Sequence, residues 1–305
     1  MPLFIMMVLG YFLKRIGLIN EAGNKTLNTV VFRVFLPVLL FKDLSTQNFS
    51  EMWHAGFVIY CFVVTLVSIG IAFFLAKLSK NRSDRGEIIQ ASYRSAAATL
   101  GIAFMSNIYN DVSMVALMII ASVPLYNIAA VVVLSVTSPE NDAITDKGEL
   151  AKKTAKSIVT NPILIAVVVG SLWSLAGIPQ PPIFSKTISS LAGVASPLAL
   201  VALGASFEFA DVRKKIKPVV LVVFNKLFLF CGIFLPVAIA LGFRKEKLVA
   251  ILIMLGSAST SSCYIMAKNM GHEGIISSAG VMIGTLLSSA TLTLWLFVLK
   301  NMGFI

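Results

Sequence analysis

The sequence has 305 residues, of which 57% are hydrophobic and only 13% charged, with a mean hydropathy of +0.90. A soluble domain carries roughly 25% charged residues, and half that density leaves a water-facing surface uncovered, which excludes an ordinary soluble enzyme or binding module. The net charge of +11 does not mark a nucleic-acid binder, because Lys and Arg gather in short loops between apolar runs, as orientation in a membrane requires.

Hydropathy and breakers divide the chain into ten segments, near 2–17, 23–45, 52–78, 86–107, 112–137, 152–175, 182–207, 214–242, 246–269 and 273–300. Most are about 20 residues or longer, enough to cross a hydrocarbon core of about 30 Å. The expected class is an all-α polytopic membrane protein with ten transmembrane helices. The opening apolar stretch is followed, not preceded, by Lys14-Arg15, the reverse of a secretory signal. Cys61, Cys231 and Cys263 fall inside apolar runs, so neither a disulfide framework nor a metal site is indicated. Loops after the odd-numbered segments hold 16 Lys and Arg, and the opposite side holds 6. That bias places both termini outside the cytoplasm, in a multi-pass protein of the cell membrane. Arg244-Lys245-Glu246-Lys247 is the loop that runs against it.

The halves resemble each other. Gly10, Gly17 and Pro37 recur as Gly170, Gly177 and Pro197, each 160 residues later. The expected domains are a first five-helix repeat over 1–142 and a second over 149–305. Five is odd, so the second copy enters the bilayer inverted, the arrangement in which secondary transporters hold substrate at broken helices near the midplane.

The fourth and ninth segments are diluted by small and hydroxyl residues, as in Ser92-Tyr93-Arg94-Ser95-Ala96-Ala97-Ala98-Thr99-Leu100-Gly101 and Gly256-Ser257-Ala258-Ser259-Thr260-Ser261-Ser262. Hydroxyls there can repair backbone bonds freed where a helix unwinds, or hold a ligand. Close helix packing is the plainer reading for any single hydroxyl. Cations inside a span cost about 2.5–3.5 kcal/mol on insertion scales. Arg94, beside Ser95, and Lys226, in the eighth segment, therefore point to an anionic cargo, against the alternative of snorkelling or carbonyl pairing. The candidate substrate-binding residues are Arg94, Ser95, Thr99, Ser259, Thr260, Ser261, Ser262, Asn28 and Lys226, with helix breaks expected at Gly101, Ala103 and Ala258. No catalytic residue, metal or cofactor is expected. H-E-x-x-H and G-x-S-x-G do not occur, and His54 and His272 fall in predicted loops.

Several stretches carry a family resemblance. Gly10-Tyr11-Phe12-Leu13-Lys14-Arg15-Ile16-Gly17 opens the chain, and Leu27-Asn28-Thr29-Val30-Val31-Phe32 with Leu36-Pro37-Val38-Leu39-Leu40-Phe41 follows. Val123-Pro124-Leu125-Tyr126-Asn127, Asn161-Pro162, Ser196-Pro197-Leu198-Ala199-Leu200 and Tyr264-Ile265-Met266-Ala267-Lys268-Asn269 come later in order. Over nearly its full length the chain resembles the auxin efflux carrier family, including its bacterial malate and malonate permease branch. The resemblance implies an elevator-type carrier. Segments 1, 2, 6 and 7 would form a scaffold through which the protein dimerises, and 3–5 with 8–10 a mobile transport domain. Its fourth and ninth helices would cross as broken helices around a carboxylate. The family has a proline at each crossing and an asparagine earlier in the first; spacing places these at Ala103, Ala258 and Ala96.

The expected function is secondary transport of a small mono- or dicarboxylate across the cytoplasmic membrane. The alternatives are a sodium-coupled organic-anion symporter of the bile-acid type, which needs acidic or carbonyl ligands for the ion, and a non-transporting membrane receptor or regulatory protein.

Overall fold

The computed structural model describes residues 2–46, 54–141 and 147–305, and all regular structure among them is helical. α1 (Pro2–Arg15) ends on Lys14 and Arg15, cations that favour a helix C-terminus. α2 (Glu21–Val30) starts at Asn20, whose Oδ1 accepts from Gly23 N at 2.7 Å, the usual device for an orphan amide at an N-cap. It continues through a π turn, Val31–Phe35, into α3 (Leu36–Ser45). Leu36 N reaches back to Val31 O, one residue further than an α-helix allows. Pro37 lies just beyond and has no amide to offer.

α4 (Ala55–Ala76) is followed by α5 (Arg82–Tyr93) and α6 (Ala97–Tyr109), which ends where Asn110 turns left-handed at φ 55. α7 (Ser113–Val136) starts from Asp111, which accepts from Ser113 N at 2.9 Å. α8 (Lys147–Val159) and α9 (Pro162–Leu175) are bent by 50° where one straight segment, 152–175, was expected. The cause is local. Asn161 precedes a proline and is extended (φ −71, ψ 122), as the proline ring demands, and its Oδ1 caps Ile163 N at 3.0 Å.

α10 (Pro182–Ala205) and α11 (Phe209–Lys214) lead into α12 (Ile216–Phe224), a second π turn at Asn225–Leu229, and α13 (Phe230–Ala240). α14 (Lys245–Gly256), α15 (Ser262–Asn269) and α16 (Ile275–Asn301) complete the chain. Among the described residues, five helical spans are long and apolar enough to cross a membrane: Ala55–Ala76, Ser113–Val136, Pro182–Ala205, Ile216–Ala240 and Ile275–Asn301. The bent pair makes a sixth if it is one span. Of the other hydropathy segments, the first is a helix of 14 residues, the second contains a π turn, and the fourth and ninth are interrupted.

Packing follows small residues. A Cβ on Gly10 would collide with the backbone of Val201, and one on Gly204 with the backbone of Met7, so α1 and α10 touch main chain to main chain. On the other flank a Cβ on Gly170 would lie 3.1 Å from Phe41 backbone, bringing α9 against α3. The pairs Gly10–Val201 and Phe41–Gly170 are related by the same 160-residue offset as the sequence matches. Ile5, Phe12, Phe73, Phe74, Leu172 and Phe297 stay exposed, an apolar surface suited to lipid and costly in water. The protein is a multi-pass membrane protein.

Candidate functional site

Two helices stop and restart in the middle of the molecule, and they do so against each other. After Tyr93 the chain turns extended at Arg94 (φ −68, ψ 144) before α6 begins. After Gly256 it turns extended at Ser257 (φ −75, ψ 155) before α15 begins. A break in an apolar interior exposes amides and carbonyls with no water to satisfy them. Here the breaks satisfy one another. Ala96 N donates to Ala258 O at 2.8 Å, and Ser259 Oγ donates to Ala91 O at 2.5 Å. Gln90 Nε2 donates to Cys263 O at 2.8 Å.

Arg94 is the charge at this crossing, and it is buried. Its Nη2 donates to Asn127 Oδ1 at 2.9 Å and to Ser262 Oγ at 2.7 Å, and Nη1 lies 2.7 Å from Met266 Sδ. Its Nε and the Ser95 hydroxyl are buried without a hydrogen-bond partner among the described residues. An unmade bond to a buried polar group costs about 1–3 kcal/mol, more for a charged one, so this pair retains binding capacity.

A cavity of about 80 Å³ adjoins them. Its lining includes Arg94, Ser95, Asn127, Thr260, Ser261 and Ser262, and, from α3, Leu36, Leu39, Leu40 and Asp43. α6 and α15 both begin here, and neither N-cap residue, Ala96 nor Ser261, caps its helix with a side chain. Each start carries about half a positive charge, although at α15 the amides of Cys263 and Tyr264 already donate to Thr260 O and Ser261 O. Such termini are ready-made for an anion.

Arg94, Ser95, Thr260, Ser261 and Ser262 thus line one cavity. Other expected residues lie elsewhere. Ser259 turns its hydroxyl to Ala91 O and is taken up in joining the breaks. Thr99 lies on α6, with its side chain outside the described residues. Asn28 lines a separate cavity of about 620 Å³ with Lys14, Lys25, Lys268 and Asn269. There its Nδ2 donates to Asn24 O at 2.8 Å and to Tyr264 Oη at 3.3 Å, and Tyr264 pairs closely with Ser206.

Two expectations need correction. Lys226 does not line the Arg94 cavity. Its ammonium sits behind the crossing, 3.0 Å from Met254 O and 3.4 Å from Tyr93 O, at the carbonyl ends of α14 and α5. Orphan carbonyls and a negative helix end attract it there. The first break also does not fall at Gly101 or Ala103, which are inside α6; it falls at Arg94–Ala96. Alanine and glycine there are compatible with helix, and the extended turn at Arg94 is set by its tertiary contacts. Ala258 lies inside the second break.

Sequence reasoning missed Asn127 and Asp43 as cavity residues. Asn127 was noticed only as part of a motif. Asp43 falls near the end of the second hydropathy segment, yet Leu36, Leu39, Leu40 and Asp43 share one helical face, a 3–4 spacing that turns all four to the cavity.

The comparisons with known proteins identify a membrane transporter. The family described as membrane transport protein matches residues 1–296, and the chain belongs to this family, that of the auxin efflux carriers. It is 24% identical over 304 residues to an uncharacterized transporter of Methanothermobacter thermautotrophicus, covering 98% of this chain and 97% of the other. It is also 24% identical over 318 residues to a Rhizobium meliloti protein named "Putative malonate transporter", covering 99% and 95%. An uncharacterized transporter of Escherichia coli K12, YfdV, is 24% identical over 311 residues, covering 98% and 96%.

Proposed function

We propose that this transporter is a secondary carrier for a small organic anion, a mono- or dicarboxylate, bound where the two interrupted helices meet. One observation carries the reading: a buried arginine with an unpartnered Nε stands beside two uncapped helix starts at a cavity. Positive charge there has no use for lipid and suits a carboxylate. The name of the Rhizobium relative, which mentions malonate, agrees with cargo of that class.

In this reading the chain crosses the membrane ten times as two inverted five-helix repeats, 1–142 and 149–305, with both termini extracytoplasmic. The 160-residue offset supports this, since it relates both the sequence matches and the packing of Gly10 on Val201 and Gly170 on Phe41. Spans 1, 2, 6 and 7 form the scaffold, through which two copies associate, and the remaining six move as an elevator carrying the crossing. Segments 82–109 and 245–269 then count as the fourth and ninth spans.

Arg94→Ala tests the proposal. Hydrogen bonds to charged groups are worth roughly 1.5–3 kcal/mol, so uptake of small carboxylates into proteoliposomes should fall by roughly ten- to a hundredfold. The variant should elute as the wild type does. Undiminished uptake by a well-folded variant rejects Arg94 as the anion ligand.

A further inference from the structure

Each interruption of a helix has two ends, and the crossing sorts them by sign. The starts of α6 and α15 lie at the cavity with Arg94. The finishes of α5 and α14 lie behind it at Lys226, whose Nζ is 3.4 Å from Tyr93 O and 3.0 Å from Met254 O. Tyr93 is the last residue of α5, and Met254 is in the last turn of α14. A helix finish carries about half a negative charge, so the two together call for about one cation. Lys226 supplies it. The residue is buried in the π turn at Asn225–Leu229, and among the described residues no carboxylate forms a salt bridge with it.

In carriers with interrupted helices, starts face the anion, while finishes and unwound carbonyls hold the coupling sodium ion or proton. Here the cation end is already filled. The space around Lys226 is lined also by Thr65, Ser68 and Tyr126 and leaves no room for a water, so a free ion and the ammonium cannot share it. The Ser68 hydroxyl is buried there without a partner among the described residues. With the lysine shortened, that hydroxyl and the two carbonyls would line the vacated space.

We infer that Lys226 is a built-in substitute for a coupling cation. Its ammonium holds the carbonyl ends of both interrupted helices where a sodium ion would sit. A cation tethered by its own side chain is released to neither side of the membrane, so a sodium gradient does not drive this carrier. The inference rests on the anion-carrier reading and narrows it, by setting aside sodium coupling.

The test uses purified full-length protein in proteoliposomes, with malonate or propionate offered in sodium or choline chloride at equal ionic strength and equal pH on both sides. A coupled cation would change apparent affinity by roughly fivefold or more, whereas wild-type uptake should agree in the two salts within about twofold. Lys226→Ala removes the ammonium and vacates its space. That protein should melt several degrees below wild type, and ethylammonium should raise its melting temperature by mass action where choline does not, with no such rise in wild type. Lys226→Met refills the space without charge and should gain nothing from ethylammonium. The inference is overturned if sodium raises wild-type uptake beyond that twofold range, or if a folded Lys226→Ala protein melts alike in ethylammonium and choline. If Lys226→Ala does not fold in either salt, the wild-type comparison decides by itself. Should wild type take up neither acid in either salt, the anion-carrier reading falls and takes this inference with it. Sodium-stimulated uptake removes the inference alone and leaves the carrier standing.

Discussion

Between Tyr93 and Ala97 the chain takes three residues and one charge to leave a helix and start another; between Gly256 and Ser262 it takes five residues, three serines, one threonine and no charge. Both breaks leave the helix the same way, on an extended residue, Arg94 in one and Ser257 in the other. Their surroundings differ. α15 is buried along most of its length, whereas α6 buries Ala97, Gly101 and Met105 and exposes Ile102 and Ile108. The first break supplies the cation, and Ser262, the first residue of the helix that follows the second break, accepts a hydrogen bond from it. Neither sequence needs a proline to stop its helix, because each break is the hydrogen-bond partner of the other.

The sharpest way to break the comparison is to put proline into it. At Ala103 the ring would sit inside α6, costing roughly 3 kcal/mol or more, and the purified variant should aggregate or melt far below wild type. Ala258 should accept proline at a cost below about 1 kcal/mol, because Ser257 already has the extended conformation that the residue before proline requires. The position that follows the extended residue in the first break is Ser95, not Ala103. Equal melting of the Ala103→Pro and Ala258→Pro proteins would mean that the breaks are not where they are described.

A smaller effect distinguishes the faces of the crossing. Lys226→Met keeps the bulk of the side chain and leaves Tyr93 O and Met254 O without their cation, which should cost about 1–3 kcal/mol and lower the melting temperature. Apparent affinity for the anion should change by no more than about twofold, since Lys226 lies outside the cavity; a loss as large as that of Arg94→Ala would return Lys226 to the binding site.

The smallest effect concerns the support beneath. Lys215 bridges Asp84 of α5 at 2.8 Å and Glu273 before α16 at 2.5 Å. Burial works to lower its pKa, but the hydrogen bonds to the two carboxylates outweigh it and leave it raised. A raised lysine contributes stability that is complete below lysine's ordinary value and lost as pH climbs through the raised one. Lys215→Met should therefore cost about 1 kcal/mol at neutral pH. That difference should shrink only in strong alkali. A constant difference across that range would show that packing, not charge, holds the junction.

Much of this was legible residue by residue. The length and polarity of the apolar runs marked α4, α7, α10, the α12–α13 span and α16, because a membrane accepts only helices that satisfy their own backbone. The cluster around Arg94, Ser95 and Ser262 was visible as a charge beside hydroxyls, which lipid penalises. Lys226 looks the same by that criterion, yet it lies outside the lining of the Arg94 cavity. A buried cation satisfied by two carbonyls and one that lines a cavity have identical hydropathy, and they differ only in what surrounds them.

Composition and period therefore determined the solvent this protein lives in, its helices and the two segments fit to unwind, since those depend on transfer energies and local hydrogen bonding. The tertiary structure decided where the unwinding falls, which of two buried cations meets the cavity, and that Asp43 shares that cavity with Arg94. Those outcomes depend on groups more than a hundred residues apart satisfying each other's backbone and charge, and no local pattern records such a pairing.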